Sequence, residues 1–303
     1  MNNMGNMGNM GNSGNLGVSS GGGDFFTDRV DLPFVTETAA LGTNPNVPVA
    51  SLRLKEDLWE ERNWNSEWYA WLVVDEFTQT DWRSKVEFDP NTGNGLAPWD
   101  DALTSEELDK LVKMAEDERA DAMGEILAQA ESYLSVASYF MNLLSVNAGS
   151  HPATARLLQI AGLVAIPPTV YAKAHASRKS IPAGSSPPAV TKNQPRPRPS
   201  HLLPALLSPL PTPGHPSHPS GHSTQAHLMA LCLSNALQGA RKDVLSPLLK
   251  TLAGRIGRNR EIAGLHYPSD TKAGAHLADI IFDILKDLPH YKTTHGQAEM
   301  EWQ

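Results

Sequence analysis

A short run of four residues from Pro219 to His222, with the order Pro-Ser-Gly-His, has the residue types that bind a small anion. It comes directly before an apolar stretch that we predict to be a helix. A helix N-terminus offers free N–H groups and the positive end of the helix dipole. Gly221 lets the main chain approach a ligand closely, while Ser220 adds a hydroxyl group and His222 an imidazole. These residues therefore form a candidate oxyanion site.

A second group of chemically active residues follows at Arg260, Gly264, His266 and Asp270. A carboxylate four residues after a histidine can accept the Nδ1 proton of the imidazole and leave Nε2 free as a nucleophile. Arg260 supplies a guanidinium that can neutralise an oxyanion. Each feature is weak alone, since an isolated Pro-Ser-Gly-His can be a turn and a lone arginine or histidine is usually structural.

The chain has 303 residues and a net charge of −8, but the charge is distributed unevenly. From residue 132 to residue 242 there is no Asp or Glu, and nine Lys or Arg residues give this stretch a charge of +9, against −17 for the rest. Such a region favours a small anion, because carboxylates would repel it. A proline-rich loop that happens to be basic is the alternative. The acidic total argues against nucleic acid as a partner.

The positions of apolar residues predict an all-α fold, because helical spacing recurs after residue 100 and strand patterns are nearly absent there. Thr104 and Glu107 suggest a capping box at the start of the first helix. Residues 182–219 hold 12 of the 23 prolines and so form an irregular segment. Helices are predicted at about 105–144, 152–166, 223–237, 244–258 and 269–288, with 223–237 buried at the centre and Gly239 as its stop.

Composition divides the chain into four parts. Residues 1–23 are an uncharged tail, rich in Asn and Gly, that we expect to be disordered. Residues 24–100 hold six of the seven tryptophans and are interpreted as a Trp-rich N-terminal segment. Residues 101–290 are predicted to form the helical bundle, and residues 291–303 a C-terminal tail.

Taken together, these motifs resemble the type-2 phosphatidic acid phosphatase and vanadium-dependent haloperoxidase superfamily. Its signature has three parts, K-x6-R-P, P-S-G-H and S-R-x5-H-x3-D. The second part is intact, and the third is present with Asn259 in place of the serine. In the first part Arg198 and Pro199 fit, but the lysine position is Thr191, and Lys192 lies one residue late. The resemblance covers roughly the helical domain.

We expect Lys192 to complete the first motif, because no other lysine lies nearer in sequence to the expected position. Lys173 and Lys179 are the alternatives if this segment is rearranged. A site that works with two arginines and no lysine is the third case.

The resemblance implies a helical bundle that holds phosphate or vanadate at its centre. Arg198, Arg260 and the lysine would neutralise the anion, while Ser220 and the N–H of Gly221 would bind its equatorial oxygens. No metal cation is required, so no metal ligands are assigned. A phosphatase would need no cofactor, and a haloperoxidase would need vanadate.

The same resemblance assigns the chemistry to two histidines and an aspartate. In a phosphatase, His266 beside Asp270 attacks phosphorus and forms a phosphohistidine. His222 then protonates the leaving oxygen and later activates water. In a haloperoxidase, His266 would coordinate vanadate, and His215 would contribute to a halide pocket.

Phosphatase is favoured over haloperoxidase by a narrow margin. His222 and His266 are 44 residues apart, as in soluble acid phosphatases, whereas His215, five residues before Ser220, resembles the extra histidine of bromoperoxidases. The substrate would be a phosphate ester in the first case, and a halide with hydrogen peroxide in the second.

A non-catalytic anion-binding or scaffold protein is a third class. Zinc binding by the His-rich tract at 201–227 is a fourth.

The remaining expectations concern the protein's environment. Cys232 is the single cysteine, which argues against a disulfide scaffold or a Cys-based zinc site. No apolar run reaches the roughly 18–20 residues that span a bilayer, and the N-terminus lacks the features of a secretory signal. We therefore expect a soluble, cytoplasmic protein without a transmembrane segment, and we leave a homo-oligomer open.

Overall fold

The helices that the sequence predicts account for most of the described chain. The computed structural model describes residues 64–89, 92–130, 132–180 and 189–303. Its helices are α1 (Ser66–Thr78), α2 (Trp82–Val86), α3 (Thr104–Asp117), α4 (Arg119–Ala128), α5 (Tyr133–Leu144), α6 (Pro152–Val164), α7 (Ile166–Ala174), α8 (Pro199–Leu202), α9 (Gly221–Ala236), α10 (Gly239–Ile262), α11 (Pro268–Leu285) and α12 (Pro289–Glu301). The helical fold class is therefore confirmed.

A small sheet is the departure from the all-α expectation within these residues. Its strands are β1 (Trp99–Asp100), β2 (Arg178–Ser180) and β3 (Ala189–Thr191). β1 pairs with β2 in parallel, and β2 pairs with β3 in the antiparallel direction. Next to it, the indole N–H of Trp99 donates to the carbonyl of Gln194 at 2.8 Å. The sheet therefore ties the start of the helical domain to the segment that leads into Arg196 and Arg198.

Helix α9 lies at the centre of the fold, as predicted, and packs against α6, α10 and α11. Most of its apolar side chains are buried, including Leu228, Met229, Cys232 and Leu233. Burial of one such large apolar side chain stabilises a fold by about 1.5–3 kcal/mol. The core therefore fixes the position of this helix, and with it the position of the Pro-Ser-Gly-His run at its start.

The close approach of α11 to the start of α9 depends on Gly274. A Cβ atom at this position would lie 2.5 Å from the carbonyl oxygen of Ser220 and 2.8 Å from Cβ of Ser223. No larger residue fits without moving one of the two helices. The N–H of Ser220 also donates to the carbonyl of Asp270 at 3.0 Å. The two helix starts that carry the candidate motifs are thus joined through the main chain.

Helix α1 belongs to the same hydrophobic core as the later helices. It packs against α6, and Tyr69, Val73 and Phe77 are buried in the main apolar cluster. The boundary predicted at residue 100 therefore does not separate two cores within the described residues.

The tryptophans of the predicted Trp-rich segment divide between core and surface. Trp82 and Trp99 are buried, whereas Trp64, Trp68 and Trp71 are between 36% and 46% exposed. Two of these five rings therefore pack into the core. Trp59 and the tail at 1–23 lie outside the described residues.

Two helix boundaries differ from the sequence-based expectation. The stretch at 105–144 is three helices rather than one, with the first break at Glu118, where φ is −122°. Gly239, predicted to stop the central helix, instead begins α10. Its φ of 53° lies in the left-handed region that glycine tolerates, so the chain can turn sharply from α9 into α10.

The predicted C-terminal tail is instead a packed helix, α12. Tyr291, Thr294 and Ala298 on this helix are buried. The carboxylate of Glu301 accepts hydrogen bonds from the N–H groups of Ala153 and Thr154 at 2.7 and 2.9 Å. The chain end therefore caps the N-terminus of α6, where a negative charge is favourable.

One stretch of the described residues, Pro152–Ala174, has the length and apolar composition of a membrane-spanning helix, with a mean hydropathy of 1.3. The expectation that no run of this kind exists is corrected on this point. Of its most apolar window, 78% is buried inside the protein, where α6 packs against α1, α9 and α12. The core helix of a globular protein has the same length and composition.

Candidate active site

A cavity of about 530 Å³ lies between helix α7, the start of α9 and the chain that follows α10. Its polar wall is formed by basic and imidazole side chains, those of Lys173, Arg198, His215, His222, Arg260 and His266. Its other wall is apolar and includes Ile166, Val170, Pro213 and Leu265. The fold therefore brings together both histidines and both arginines that the motifs single out.

The imidazole of His266 is held in one tautomer. Nη1 of Arg198 lies 2.9 Å from Nε2 of His266, and a guanidinium can only donate a hydrogen bond. Nε2 must therefore carry the lone pair and Nδ1 the proton, and Nδ1 lies 3.4 Å from Oδ2 of Asp270. Burial lowers the pKa of His266 well below its usual value despite this carboxylate. His266 is thus a neutral imidazole whose Nε2 lone pair accepts from Arg198, and this lone pair is the one that a nucleophile would use.

Asp270 is completely buried and accepts hydrogen bonds from several directions. The hydroxyl of Ser217 donates to Oδ2 at 2.5 Å, and Nη1 of Arg196 donates to Oδ1 at 2.9 Å. Burial alone would raise the pKa of this carboxyl. The imidazoles of His218 and His266 and the charge of Arg196 instead hold the pKa well below its usual range. Asp270 is therefore an anion that orients His266.

Behind Asp270 lies a second buried ion pair, between Arg196 and Glu107. Nη2 of Arg196 donates to Oε2 of Glu107 at 2.7 Å, and the guanidinium stacks 3.7 Å from the ring centre of Tyr267. Glu107 also accepts from the N–H of Ser269 at 2.7 Å. The predicted capping box at Thr104 is therefore wrong, because the Glu107 carboxylate reaches across to α11. No local pattern in the sequence marks this long-range pair.

His222 faces the cavity from the first turn of α9. Its Nε2 lies 2.9 Å from the carbonyl oxygen of Gln129, so Nε2 carries a proton and Nδ1 is the nitrogen with a lone pair. Burial first, and then the charge of Arg260, lower the pKa of His222 to about 4. Gln129, at the end of α4, also accepts from Asn259 at 3.1 Å through its side chain. Asn259, which replaces the motif serine, thus has a structural contact here.

The two cavity arginines are buried and bond to neutral groups within the described residues. Arg198 donates to the carbonyls of Leu265 and His215 at 2.8 and 3.1 Å, and Arg260 donates to the carbonyl of Ile126 at 2.8 Å. Burial lowers the pKa of each arginine to about 10, so both stay charged at neutral pH. Buried cations without an ion pair are costly. A bound anion would supply the missing negative charge.

The structure places Lys173, rather than Lys192, at this cavity. Lys173 is 6% exposed and lines the polar wall, whereas Lys192 is exposed and lines a different, smaller cavity. The expectation for Lys192 is therefore corrected. Sequence distance misleads here because α7 brings Lys173 alongside the start of α9. Lys179 is also elsewhere, since its Nζ lies 3.1 Å from Oδ2 of Asp100 near the sheet.

The remaining predicted residues take different positions. Gly221 and His215 line the cavity, and Nη2 of Arg198 lies 3.0 Å from Nδ1 of His215. Ser220 is completely buried behind the wall, and its hydroxyl accepts from the N–H of Ser223 at 3.4 Å. In this structure the hydroxyl therefore caps helix α9, and its contact with an anion stays a prediction.

The His-rich tract does not form a metal site in the described part of the chain. No group of three or more His, Cys, Asp or Glu side chains there converges closely enough to hold a metal ion. His227, for example, bonds within its own helix, with Nδ1 2.8 Å from the carbonyl of Ser223.

Comparison with known proteins places the motifs in a family. Residues 183–292 match the family model of the PAP2 superfamily. A stretch of 85 residues is 29% identical to a non-specific acid phosphatase of Salmonella typhi and to one of Salmonella typhimurium strain LT2. Residues 183–292 are therefore similar to the PAP2 superfamily, which is the family that the motifs indicate. The matched stretch is 28% of this chain and spans about a third, 32%, of each relative.

Proposed function

We propose that the protein is a phosphatase that hydrolyses a phosphomonoester through a phosphohistidine on His266. The observation that carries this proposal is the tautomer of His266, whose Nε2 lone pair lies beside Arg198 in a cavity that also holds the unpaired charge of Arg260. The match of residues 183–292 to the PAP2 superfamily and the similarity of an 85-residue stretch to acid phosphatases support the same reaction class.

In the first step, Nε2 of His266 attacks phosphorus, so a P–N bond forms as the P–O bond to the alcohol breaks. The leaving oxygen takes a proton from His222. Asp270 stabilises the positive charge that the phosphorylated imidazole gains, because it accepts from Nδ1. Arg198 and Arg260 neutralise the charge that develops on the equatorial oxygens, which is where catalytic stabilisation counts.

In the second step, water attacks the phosphohistidine and gives up a proton to His222. Inorganic phosphate leaves, and His266 returns to its neutral form. The lowered pKa of His222, about 4, keeps the imidazole neutral without a bound anion, which is the form that can accept a proton. A phosphate dianion would offset the nearby charge of Arg260 and raise this pKa. His222 would therefore become a usable acid once the ester is bound.

The apolar wall of the cavity offers a surface for the leaving group. Ile166 and Val170 on α7 are 39% and 59% exposed, and they line the cavity together with Pro213. An aryl ester such as p-nitrophenyl phosphate combines a dianion with an apolar group and is a suitable first substrate.

The first experiment measures phosphate release from p-nitrophenyl phosphate. We expect His266→Ala to abolish turnover and His222→Ala to slow it by roughly 10² to 10⁴, the usual contribution of a positioned acid or base. His201→Ala, at an exposed position on α8, is the matched control and should keep the wild-type rate. Near-wild-type turnover in His266→Ala would contradict the proposal.

A vanadium-dependent haloperoxidase is the second candidate, because His215 lies on the cavity wall beside Arg198. Vanadate would sit between Arg198, Arg260 and Nε2 of His266, and would supply the peroxide-activating chemistry. Bromide oxidation by the vanadate-loaded protein with hydrogen peroxide, without phosphate release, would favour this function. Anion binding without either activity would favour a scaffold.

A further inference from the structure

The ammonium group of Lys173 is surrounded by main-chain carbonyl oxygens. Its Nζ lies 2.8 Å from the oxygen of Pro216, 3.1 Å from that of Ser217 and 2.6 Å from that of Pro219. All three oxygens belong to the short segment 216–219. The side chain is 6% exposed, so water has little access to these contacts.

The number of donors matches the number of acceptors. An ammonium has three N–H groups, and three carbonyl oxygens take them up. Lys173 therefore has no donor left for the oxygens of a bound phosphate. Arg260 differs, because its Nε is buried and has no hydrogen-bond partner among the described residues.

The segment that Lys173 holds carries groups that orient the nucleophile. The hydroxyl of Ser217 donates to Oδ2 of Asp270, the same oxygen that faces Nδ1 of His266. The segment then continues directly into Ser220 and the start of α9. The three carbonyl dipoles converge on one point, and without a cation there they would repel one another.

We propose that Lys173 is a positioning residue whose three N–H groups hold segment 216–219 in place, so that Ser217 and the start of α9 orient Asp270 and His266. It acts on a bound anion only through its charge. The effect on turnover depends on the proposed phosphatase function. The effect on the segment does not.

Amide hydrogen exchange on the protein without added anion tests the structural part. The N–H of Ser217 donates to Arg196 and the N–H of Ser220 to Asp270, so both amides report whether the segment stays attached. We expect Lys173→Met to speed exchange at these two amides by about tenfold or more, with α12 unchanged. Lys192→Met, at an exposed lysine, is the matched control and should exchange like the wild type.

Unchanged exchange at Ser217 and Ser220 in Lys173→Met, together with weaker binding of orthovanadate, would overturn the proposal and make Lys173 a direct ligand. If Lys173→Met does not fold, Lys173→Gln, which keeps two N–H donors, takes its place in the same comparison. Because no substrate is used, the result stands even if the protein releases no phosphate.

A double-mutant cycle on kcat tests the link to the nucleophile. Lys173→Met and Ser217→Ala act through the same contact, so we expect the double variant to be within about twofold of the slower single variant. Lys173→Met and Arg260→Ala should instead combine multiplicatively. Multiplicative effects in the Lys173–Ser217 pair would overturn the positioning role. A general loss of stability in Lys173→Met would not produce coupling with Ser217→Ala and independence from Arg260→Ala.

Discussion

At the scale of single residues, the proposed nucleophile, His266, contacts an arginine that we propose binds the substrate. Arg198 donates to Nε2 of His266 at 2.9 Å. Attack on phosphorus needs this lone pair, so the guanidinium must turn toward the oxygens of the bound ester before reaction. In the proposed mechanism, substrate binding would therefore also free Nε2 of His266, which Arg198 contacts when no ester is present.

The charge of Lys173 depends on pH in the neutral range. Burial first, and then the charge of Arg198, lower the pKa of Lys173 to about 7. Arg198 and Arg260, with pKa values of about 10, stay charged through the neutral range. His222, with a pKa of about 4, and His266 are neutral there. Between pH 6 and 9 the total charge of these five groups therefore changes because Lys173 loses its proton.

Sulfate binding should follow this titration. Sulfate is a tetrahedral dianion whose own charge is constant over this range, and it binds best when Lys173 is protonated. We expect its affinity as a competitive inhibitor to be constant below about pH 6.5. It should then fall as pH rises through 7, approaching about tenfold per pH unit. Isothermal titration calorimetry or inhibition of p-nitrophenyl phosphate hydrolysis measures the effect.

Two lysine variants control the sulfate measurement. Lys173→Met should bind sulfate weakly with little dependence on pH, and Lys192→Met should keep the wild-type profile. A wild-type affinity that is flat from pH 6 to 9 would show that Lys173 does not titrate in this range.

At the scale of elements, the site depends on how closely α11 approaches the start of α9. The Pro-Ser-Gly-His run ends at the first turn of α9, His266 lies two residues before α11, and Asp270 lies in the first turn of α11. Gly274 lets these two helix starts meet, since a Cβ there would overlap the carbonyl of Ser220. The relative position of His222 and His266 therefore depends on the absence of a Cβ atom at Gly274.

Gly274→Ala should lower both stability and activity. The added methyl group forces α9 and α11 apart, and overpacking of this kind costs about 1–3 kcal/mol in the free energy of unfolding. Because the displaced groups include Ser220, we also expect a lower kcat at temperatures where the variant is fully folded. Urea unfolding and hydrolysis of p-nitrophenyl phosphate measure the two effects.

Gly254→Ala is the matched control for this prediction. Gly254 lies inside α10 with open space where a Cβ would go, so alanine should raise the stability by about 0.5–1 kcal/mol. Equal effects of the two substitutions would show that the helix contact is not tight.

The elements themselves were largely accessible from the sequence. Apolar spacing predicts the buried helix at 223–237, and α9 occupies Gly221–Ala236. The helix breaks within 105–144 are not predicted, because apolar residues continue at helical spacing across them. The last helix, Pro289–Glu301, is not predicted because its sequence is mostly polar. Its buried side chains owe their burial to contacts with α6.

At the scale of the whole molecule, parts of the site come from outside the stretch that matches the family. Residues 183–292 supply Arg198 and the three catalytic candidates. Lys173 and Glu107 lie before it, yet one reaches segment 216–219 and the other Arg196. Local motifs predict residues that share a short segment. They do not predict partners that meet only because several helices pack around α9, which is why Lys192 was expected in place of Lys173.

Which tryptophans are exposed also depends on the packing of the whole molecule. Trp68 and Trp71 are exposed on the outer side of α1, and the exposed Trp64 precedes the helix, while the inner side of α1 joins the core. Composition marks these residues as unusual, but only the packing of α1 against α6 decides which rings are buried.

The central claim is that phosphate passes through His266, and trapping the covalent intermediate tests it most directly. Protein mixed with p-nitrophenyl phosphate is quenched in alkali, where phosphohistidine survives, and peptides are examined by mass spectrometry. We predict an added phosphoryl group on His266 in the wild type, more of it in His222→Ala if loss of the base slows hydrolysis, and none in His266→Ala. Turnover without a phosphoryl group on His266, or with one on another residue, would contradict the account.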